Sequence, residues 1–181
     1  MNANYIFTSD RLGFRNWEDT DLEKMILINS DKDVMRFFPF LPSAKQTEDF
    51  IERMKNQFSA KGYCYFAVDL LDSDTFIGFI GLSEQNYKAD FTPCIDIGWR
   101  LNKMHWNKGL ATEGAKACLE YGRNNLNLPL ICAVASQVNE NSIKVMNKIG
   151  MRYRKNFEHP NLLNDNRLKD CVLYDKKLQS K

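Results

Sequence analysis

Three stretches hold residues whose types and spacing suit chemistry: Cys94-Ile95-Asp96-Ile97-Gly98-Trp99-Arg100-Leu101, Trp106-Asn107-Lys108-Gly109-Leu110-Ala111-Thr112, and Asn139-Glu140-Asn141-Ser142. The second follows a strand pattern and precedes an amphipathic helix pattern that puts Ala111, Ala115, Cys118, Leu119 and Gly122 on one face. It therefore opens a helix. The first amides of a helix have no carbonyl partner and lie at the positive end of its dipole, which suits a diphosphate. Gly109 and Ala111 keep bulky side chains out of that turn. The order fits neither a Walker phosphate loop, Gly-x-x-x-x-Gly-Lys-Ser/Thr, nor a dinucleotide fingerprint with three spaced glycines. Asp96 shares a strand face with Cys94 and Gly98. Its carboxylate can take a proton or hold a cation electrostatically, and the sequence leaves both open. Asn139 reads either as a ligand contact whose amide donates and accepts or as a helix-entry residue. Ser142 reads as a first-turn or capping residue or as a hydroxyl donor.

The elements that must hold these residues follow from periodicity and turn signals. Strand 6–16 leads to helix 20–30, a Phe-rich turn and helix 45–61, then strands 63–71, 75–84 and 93–101. The helix 111–125 comes next, followed by strand 130–138, a short helix 142–148, and strands 151–157 and 170–178. Strand-helix-strand after residue 93 implies a partly parallel sheet.

Composition bounds the reading. A chain of 181 residues with 44% hydrophobic content is expected to form a single domain over 1–181. With 25 basic and 23 acidic residues there is no basic field, so nucleic acid is not an expected partner. No run reaches the ~20 apolar residues of a membrane span, and 1–12 lacks a leader pattern, so no membrane partner and a cytoplasmic location are expected. The five cysteines form no Cys-x-x-Cys pair and fall in apolar patterns, and with two histidines no metal site is expected.

Trp106, Gly109 and Ala111 take the first, fourth and sixth places of a pattern that resembles the GNAT acyltransferase signature Gln/Arg-x-x-Gly-x-Gly/Ala, with Trp106 departing from it. Asn139 to Ser142, followed by Lys148-Ile149-Gly150-Met151, resembles the Asn-x-x-Ser … Lys-x-Gly-Met/Phe segment of the RimJ/RimL-type N-acetyltransferases. The stretches 8–15 and 76–82 resemble the opening strand and the central hairpin strand, so the likeness covers essentially the whole chain. Within that branch the chain is most similar to a group reading Phe-Thr-Pro-x-x-Glu-Ile-Gly-Trp-Arg-Leu and ending His-Pro-x-Leu … His-Val-Leu-Tyr. Here Asp96 replaces the glutamate and Cys171 the second histidine.

The resemblance implies an α/β, layered α+β GNAT fold: a central mixed seven-stranded sheet flanked by helices, with its fourth and fifth strands splayed. It implies acetyl-CoA as cosubstrate, its pantetheine arm beside Gly98, Trp99, Arg100 and Leu101 and its diphosphate on the amides of Asn107, Lys108, Gly109, Leu110, Ala111 and Thr112. Asn139 would hold the arm from the other side, and the Ser142 hydroxyl would donate toward the thioester sulfur. Asp96 would take the amine proton, through water because it is one methylene shorter than glutamate, and an amide near Trp99 would meet the oxyanion. Glu84 is a weaker candidate base. The tyrosine that other branches carry seven residues after the asparagine is Met146 here.

The acceptor would be an amine-bearing small molecule or a peptide N-terminus, and the resemblance admits a homodimer. The apolar stretch 37–42 would border the acceptor, some of its rings packing inward and one or two forming a wall. A catalytically weak acyl-CoA sensor or interaction module is the alternative, kept open by the departures at Asp96 and Cys171.

Overall fold

The computed structural model describes residues 5–178, so the first four residues of the stretch 1–12 lie outside it. Its strands are β1 (Phe7–Thr8), β2 (Leu12–Arg15), β3 (Tyr65–Leu70), β4 (Thr75–Gln85), β5 (Cys94–Leu101), β6 (Leu130–Ser136), β7 (Arg152–Glu158) and β8 (Asp170–Lys177). Its helices are α1 (Asp21–Ser30), α2 (Ala44–Lys61), α3 (Leu110–Asn124) and α4 (Glu140–Lys148). The strands form one open sheet in the order β1-β2-β3-β4-β5-β6-β8-β7. Every neighbouring pair is antiparallel except β5–β6, which is parallel.

The layered α/β class matches the sequence reading, but the sheet has eight strands where seven are expected. The stretch 6–16 folds back on itself instead of running straight. The Ser9 N–H donates to the Leu12 carbonyl (2.8 Å), the Ser9 hydroxyl accepts from the Leu12 N–H (3.2 Å), and Phe7 comes to lie opposite Phe14. A serine side chain bonding the backbone three residues on is a turn device, and the apolar content of the stretch masks it.

Each helix shows a local cause. α2 opens on a capping box in which the Ser43 hydroxyl accepts from the Gln46 N–H while the Gln46 side chain accepts from the Ser43 N–H. Thr47, Ile51 and Met54 then form its buried stripe. β4 divides the layers by alternation: the Phe79 ring meets Phe50 of α2 at 5.2 Å and the Ser83 hydroxyl donates to Gln57 of α2, whereas Ile80 and Leu82 lie beneath Gly114 and Gly122 of α3. β5 inherits this division, because Asp96, Gly98 and Arg100 pair with Ser83, Gly81 and Phe79. Those three side-chain positions therefore face α1 and α2, and Ile97, Trp99 and Leu101 face α3.

β5 and β6 are in register at one position, Asp96 with Cys132, while β6 pairs with β8 from Leu130 to Ser136. The two strands part beyond Asp96, as the splayed arrangement requires.

Arg15 ties three elements together. Its guanidinium donates to both carboxylate oxygens of Asp21 on α1 (2.6 and 2.9 Å) and both of Asp69 on β3 (2.6 and 3.0 Å), and all three residues are buried. Burial alone would depress the Arg15 pKa, but the two carboxylates raise it well above the ordinary value. Breaking such a cluster from one side strands uncompensated charge. Arg15→Ala is expected to lower unfolding stability by about 3 to 5 kcal/mol, read from urea denaturation followed by circular dichroism. A midpoint equal to that of the wild type would show that the two aspartates find other partners.

Candidate active site

β5 is bonded along one edge. The Asn102 N–H donates to the Ile77 carbonyl (2.9 Å), and in an antiparallel ladder this fixes the alternation. Gly98 and Arg100 turn their backbone groups toward β4, and Trp99 and Leu101 turn theirs away. Past Asp96 no residue of β6 is in register with β5, so the Trp99 N–H and C=O and the Leu101 N–H face the gap between the strands. The Leu101 carbonyl is already taken by the Trp106 indole N–H (2.8 Å). Trp106, the departure in the motif, thus pins the following turn to the end of β5. Of the stretch Gly98 to Leu101, Trp99 is the residue with both backbone groups free for an extended ligand.

In the turn itself Asn107 has φ +60° and Gly109 has φ +80°, and α3 begins at Leu110, whose buried side chain anchors it. A Cβ on Gly109 would find its nearest neighbour, Arg11 Nη2, at 3.7 Å. Glycine is therefore demanded by the left-handed backbone, a requirement separate from keeping bulky side chains out of the turn. Among the described residues, none of the six backbone N–H groups from Asn107 to Thr112 donates to another protein group. Lys108 is exposed beside them.

Arg11, from the turn between β1 and β2, closes over this region. It donates to the Lys108 carbonyl (3.1 Å) and to Glu113 of α3 (2.7 Å from Nε, 2.9 Å from the backbone N–H), and Ser9 adds a hydroxyl to Glu113 (2.7 Å). Burial pushes the Glu113 carboxyl up, yet the bonds from Ser9 and Arg11 outweigh it and hold the pKa below the ordinary range. The acid in the first turn of α3 is thereby neutralised, and its charge does not oppose an anion at the free amides. Arg11 and Ser9 are some hundred positions from this turn in sequence, and no local pattern marks them.

Asp96 is half-buried at the point where β5 and β6 part. Its Oδ1 accepts from the Tyr65 hydroxyl (2.6 Å) and from Gln85 Nε2 (3.0 Å). Burial raises its pKa, the two donors pull it back, and the balance is about 6. Tyr65 reaches it from β3 by crossing two glycines in register, Gly81 and Gly98. A Cβ on Gly98 would come within 3.0 to 3.2 Å of the Tyr65 ring and hydroxyl, so Gly98 supplies the space through which the phenol is delivered. Burial, then Asp96 itself, raises the Tyr65 pKa, which keeps the phenol a donor.

On the other side of the gap, β6 leads into α4, whose N-cap is Asn139. The Asn139 Oδ1 accepts from the Ser142 N–H (3.2 Å), so its carbonyl serves the helix and its amide N–H groups are left for a ligand. Ser142 is a first-turn residue, half-buried, and its hydroxyl makes no hydrogen bond among the described residues. Met146 is buried in the core, and Cys171 is a packing residue whose thiol donates to the Leu168 carbonyl (3.4 Å). Glu84 pairs with Lys61 and alternates to the other face of β4 from Ser83, the partner of Asp96, so it does not join the site.

The side of β5 that faces α1 and the stretch 37–42 shows contacts that sequence reasoning missed. In the stretch 37–42, Phe37 is half-buried while Phe38, Phe40 and Leu41 are exposed, and Phe38 covers the Arg100 guanidinium at 4.1 Å. Arg167, in the loop between β7 and β8, donates to the carbonyls of Arg36 and Phe38 and straps the two loops together. A hollow of about 530 Å³ lies between Pro39 and residues 161–167. The buried Tyr87 hydroxyl has no hydrogen-bond partner among the described residues, and its ring lies against His159 at 4.3 Å. Among the described residues no group of His, Cys, Asp and Glu converges as a metal set, and no helix is long and apolar enough to cross a membrane.

The Asp96 carboxyl is expected to titrate near pH 6 in a carbon-13 NMR experiment, far above a solvent-exposed aspartate. Tyr65→Phe removes a donor that stabilises the carboxylate, so the transition should move to higher pH. A transition near pH 4 in the wild type would show that water reaches the group freely.

The acetyltransferase (GNAT) domain family matches residues 11–152 of the chain. An uncharacterized N-acetyltransferase of Bacillus subtilis (strain 168), YnaD, is 36% identical over 145 residues, 80% of this chain and 81% of its own. A crystal structure of a GNAT-family acetyltransferase from Bacillus anthracis is similar at a TM-score of 0.78 and 29% identity, covering 94% of this chain and 96% of that one. The spermidine N-acetyltransferase of Vibrio cholerae, in complex with CoA and spermine, shares the fold at a TM-score of 0.73 and 19% identity, covering 92% and 95%.

Proposed function

We propose that the chain, which belongs to the GNAT acetyltransferase family, moves an acetyl group from acetyl-CoA directly to a primary amine of a small molecule or a protein N-terminus. The observation that carries this reading is the coincidence of a half-bonded β5, a run of six unbonded amides at the start of α3, and a carboxylate at the point where β5 and β6 part. The motif Asn139 … Ser142 … Gly150-Met151 supports the RimJ/RimL-type branch within the family. We further take residues 1–181 to work as one domain in the cytoplasm.

The residues fit acetyl-CoA. Six amides and the Lys108 ammonium suit a diphosphate, and the Trp99 C=O with the Leu101 N–H suits an amide of the pantetheine arm, which leaves the Trp99 N–H for the acetyl carbonyl. The same-fold spermidine enzyme holds CoA, which supports this assignment. Bound acetyl-CoA supplies the activated acetyl group. This chain's residues then position the amine and move its proton. An amine with a pKa near 10 is almost wholly protonated at neutral pH and cannot attack until it loses a proton. Asp96, ionised above about pH 6, accepts that proton through water. The Trp99 N–H faces the negative charge that develops on the carbonyl oxygen, and the Ser142 hydroxyl donates toward the sulfur as it leaves. An acyl-CoA sensor would need no carboxylate whose pKa is lifted toward neutrality, and Asp96 favours the enzyme.

Gly109→Asp places a negative side chain beside the free amides and is expected to abolish the calorimetric heat of CoA binding. The wild type should bind and gain about 2.7 kcal/mol of stability at a ligand concentration one hundred times the dissociation constant. No heat from the wild type at millimolar CoA would remove the cosubstrate assignment. Asp96→Asn is expected to lower turnover of an identified amine by a factor of about 10² to 10⁴ while CoA affinity holds, and Ser142→Ala should cost less because water can replace one hydroxyl. Full activity of Asp96→Asn between pH 6 and 9 would reassign Asp96 to a structural role.

A further inference from the structure

Arg15 is buried and Arg100 is half-buried, and their surroundings differ in kind. Arg15 meets Asp21 and Asp69 with four hydrogen bonds. Arg100 has one protein acceptor, the neutral Oδ1 of Asn29 (2.7 Å from Nη1). Its Nε–H is buried with no partner, Nη2 makes no hydrogen bond among the described residues, and no carboxylate there comes within ion-pair distance. The guanidinium is held between two aromatic faces, Phe38 at 4.1 Å and Phe79 at 5.4 Å. Rings stabilise a cation weakly compared with an anion. Burial pushes the Arg100 pKa down to about 10, which still leaves it charged at neutral pH. A half-buried cation whose Nε–H is shut off from water and unbonded is normally matched by an opposite charge, and the described protein offers none.

The location says where the match comes from. Arg100 lies on the same face of β5 as Asp96, four residues on, a separation of about 13 Å along the strand. It lies on the side of α1 and the 37–42 stretch, not on the side of α3 and the free amides. Asn29 is fixed in turn by Thr47 (3.0 Å), so the donor fork is held in one orientation. Arginine presents such a fork to carboxylates in two-point fashion.

We propose that the Arg100 side chain is the acceptor-specificity determinant of this enzyme and binds a carboxylate carried by the amine substrate, with the amine directed to Asp96. The substrate class is then amino acids or peptides with a nearby acid group, and polyamines are disfavoured. The inference rests on the amine-acetyltransferase reading above.

The test measures thiol release from acetyl-CoA with matched probes: glycine, 4-aminobutyrate, 6-aminohexanoate and glycylglycine, each against its carboxamide. Both members of a pair use the same acetyl-CoA, so their ratio of kcat/KM is insensitive to any change in cosubstrate binding. The wild type should favour the acid over the amide by tenfold or more in at least one pair. Arg100→Gln should bring that ratio to about one, and Arg100→Lys should restore part of it. If amines are acetylated but no acid exceeds its amide by twofold, or if the preference survives Arg100→Gln, the assignment of Arg100 falls while amine acetylation stands. If the wild type acetylates neither these probes nor other amines and N-terminal peptides, both fall together. The wild-type comparison decides the matter even where a variant fails to fold.

Discussion

One register position governs the architecture. β5 and β6 run parallel and meet at Asp96 and Cys132, after which β6 commits its backbone to β8 and β5 keeps a bare edge. In a continuous sheet that edge would be satisfied by the next strand. Here it is left for something strand-like, and the remaining elements follow from that gap. Trp106 bends the chain back from the end of β5, α3 begins beside the opening, and α4 begins on its far side with Asn139.

Charged side chains are matched in three different ways across the fold. Arg15, Asp21 and Asp69 neutralise one another and join α1 to the sheet. Glu113 and Arg11 neutralise one another at the start of α3 and lock the β1–β2 turn against it. Burial lifts the Asp96 pKa, and because its only donors, Tyr65 and Gln85, are neutral, they pull it back only in part, where a salt bridge would pull it down further.

The sequence made much of this legible where the signal is local. Helical periodicity and the motif from Trp106 to Thr112 located the start of α3 to within a residue, and period-two alternation put Asp96 on the face it occupies. The doubling of the first strand was hidden because one serine turn competes with several apolar neighbours. Long-range partners were illegible for a different reason. Tyr65, Gln85, Arg11 and Arg167 act across strands and loops whose pairing is set by the whole sheet, so nothing in their own neighbourhoods distinguishes them from ordinary surface or strand residues. Asn139 fell between these cases: its spacing suggested a cap and a ligand contact equally, and the structure shows the cap, with the oxygen bonded to the helix.

The crossing of Tyr65 over two glycines couples positions on three strands. Gly81 and Gly98 form a trough on adjacent strands, the phenol lies in it, and Asp96 receives the hydroxyl at its end. A side chain at position 98 would evict the ring, and loss of the ring would leave an unfilled furrow beside a carboxylate reduced to one donor, Gln85. Residues 65, 98 and 96 thus form one mechanical unit, in which the size of the side chain at 98 decides whether the phenol can reach the carboxylate at all.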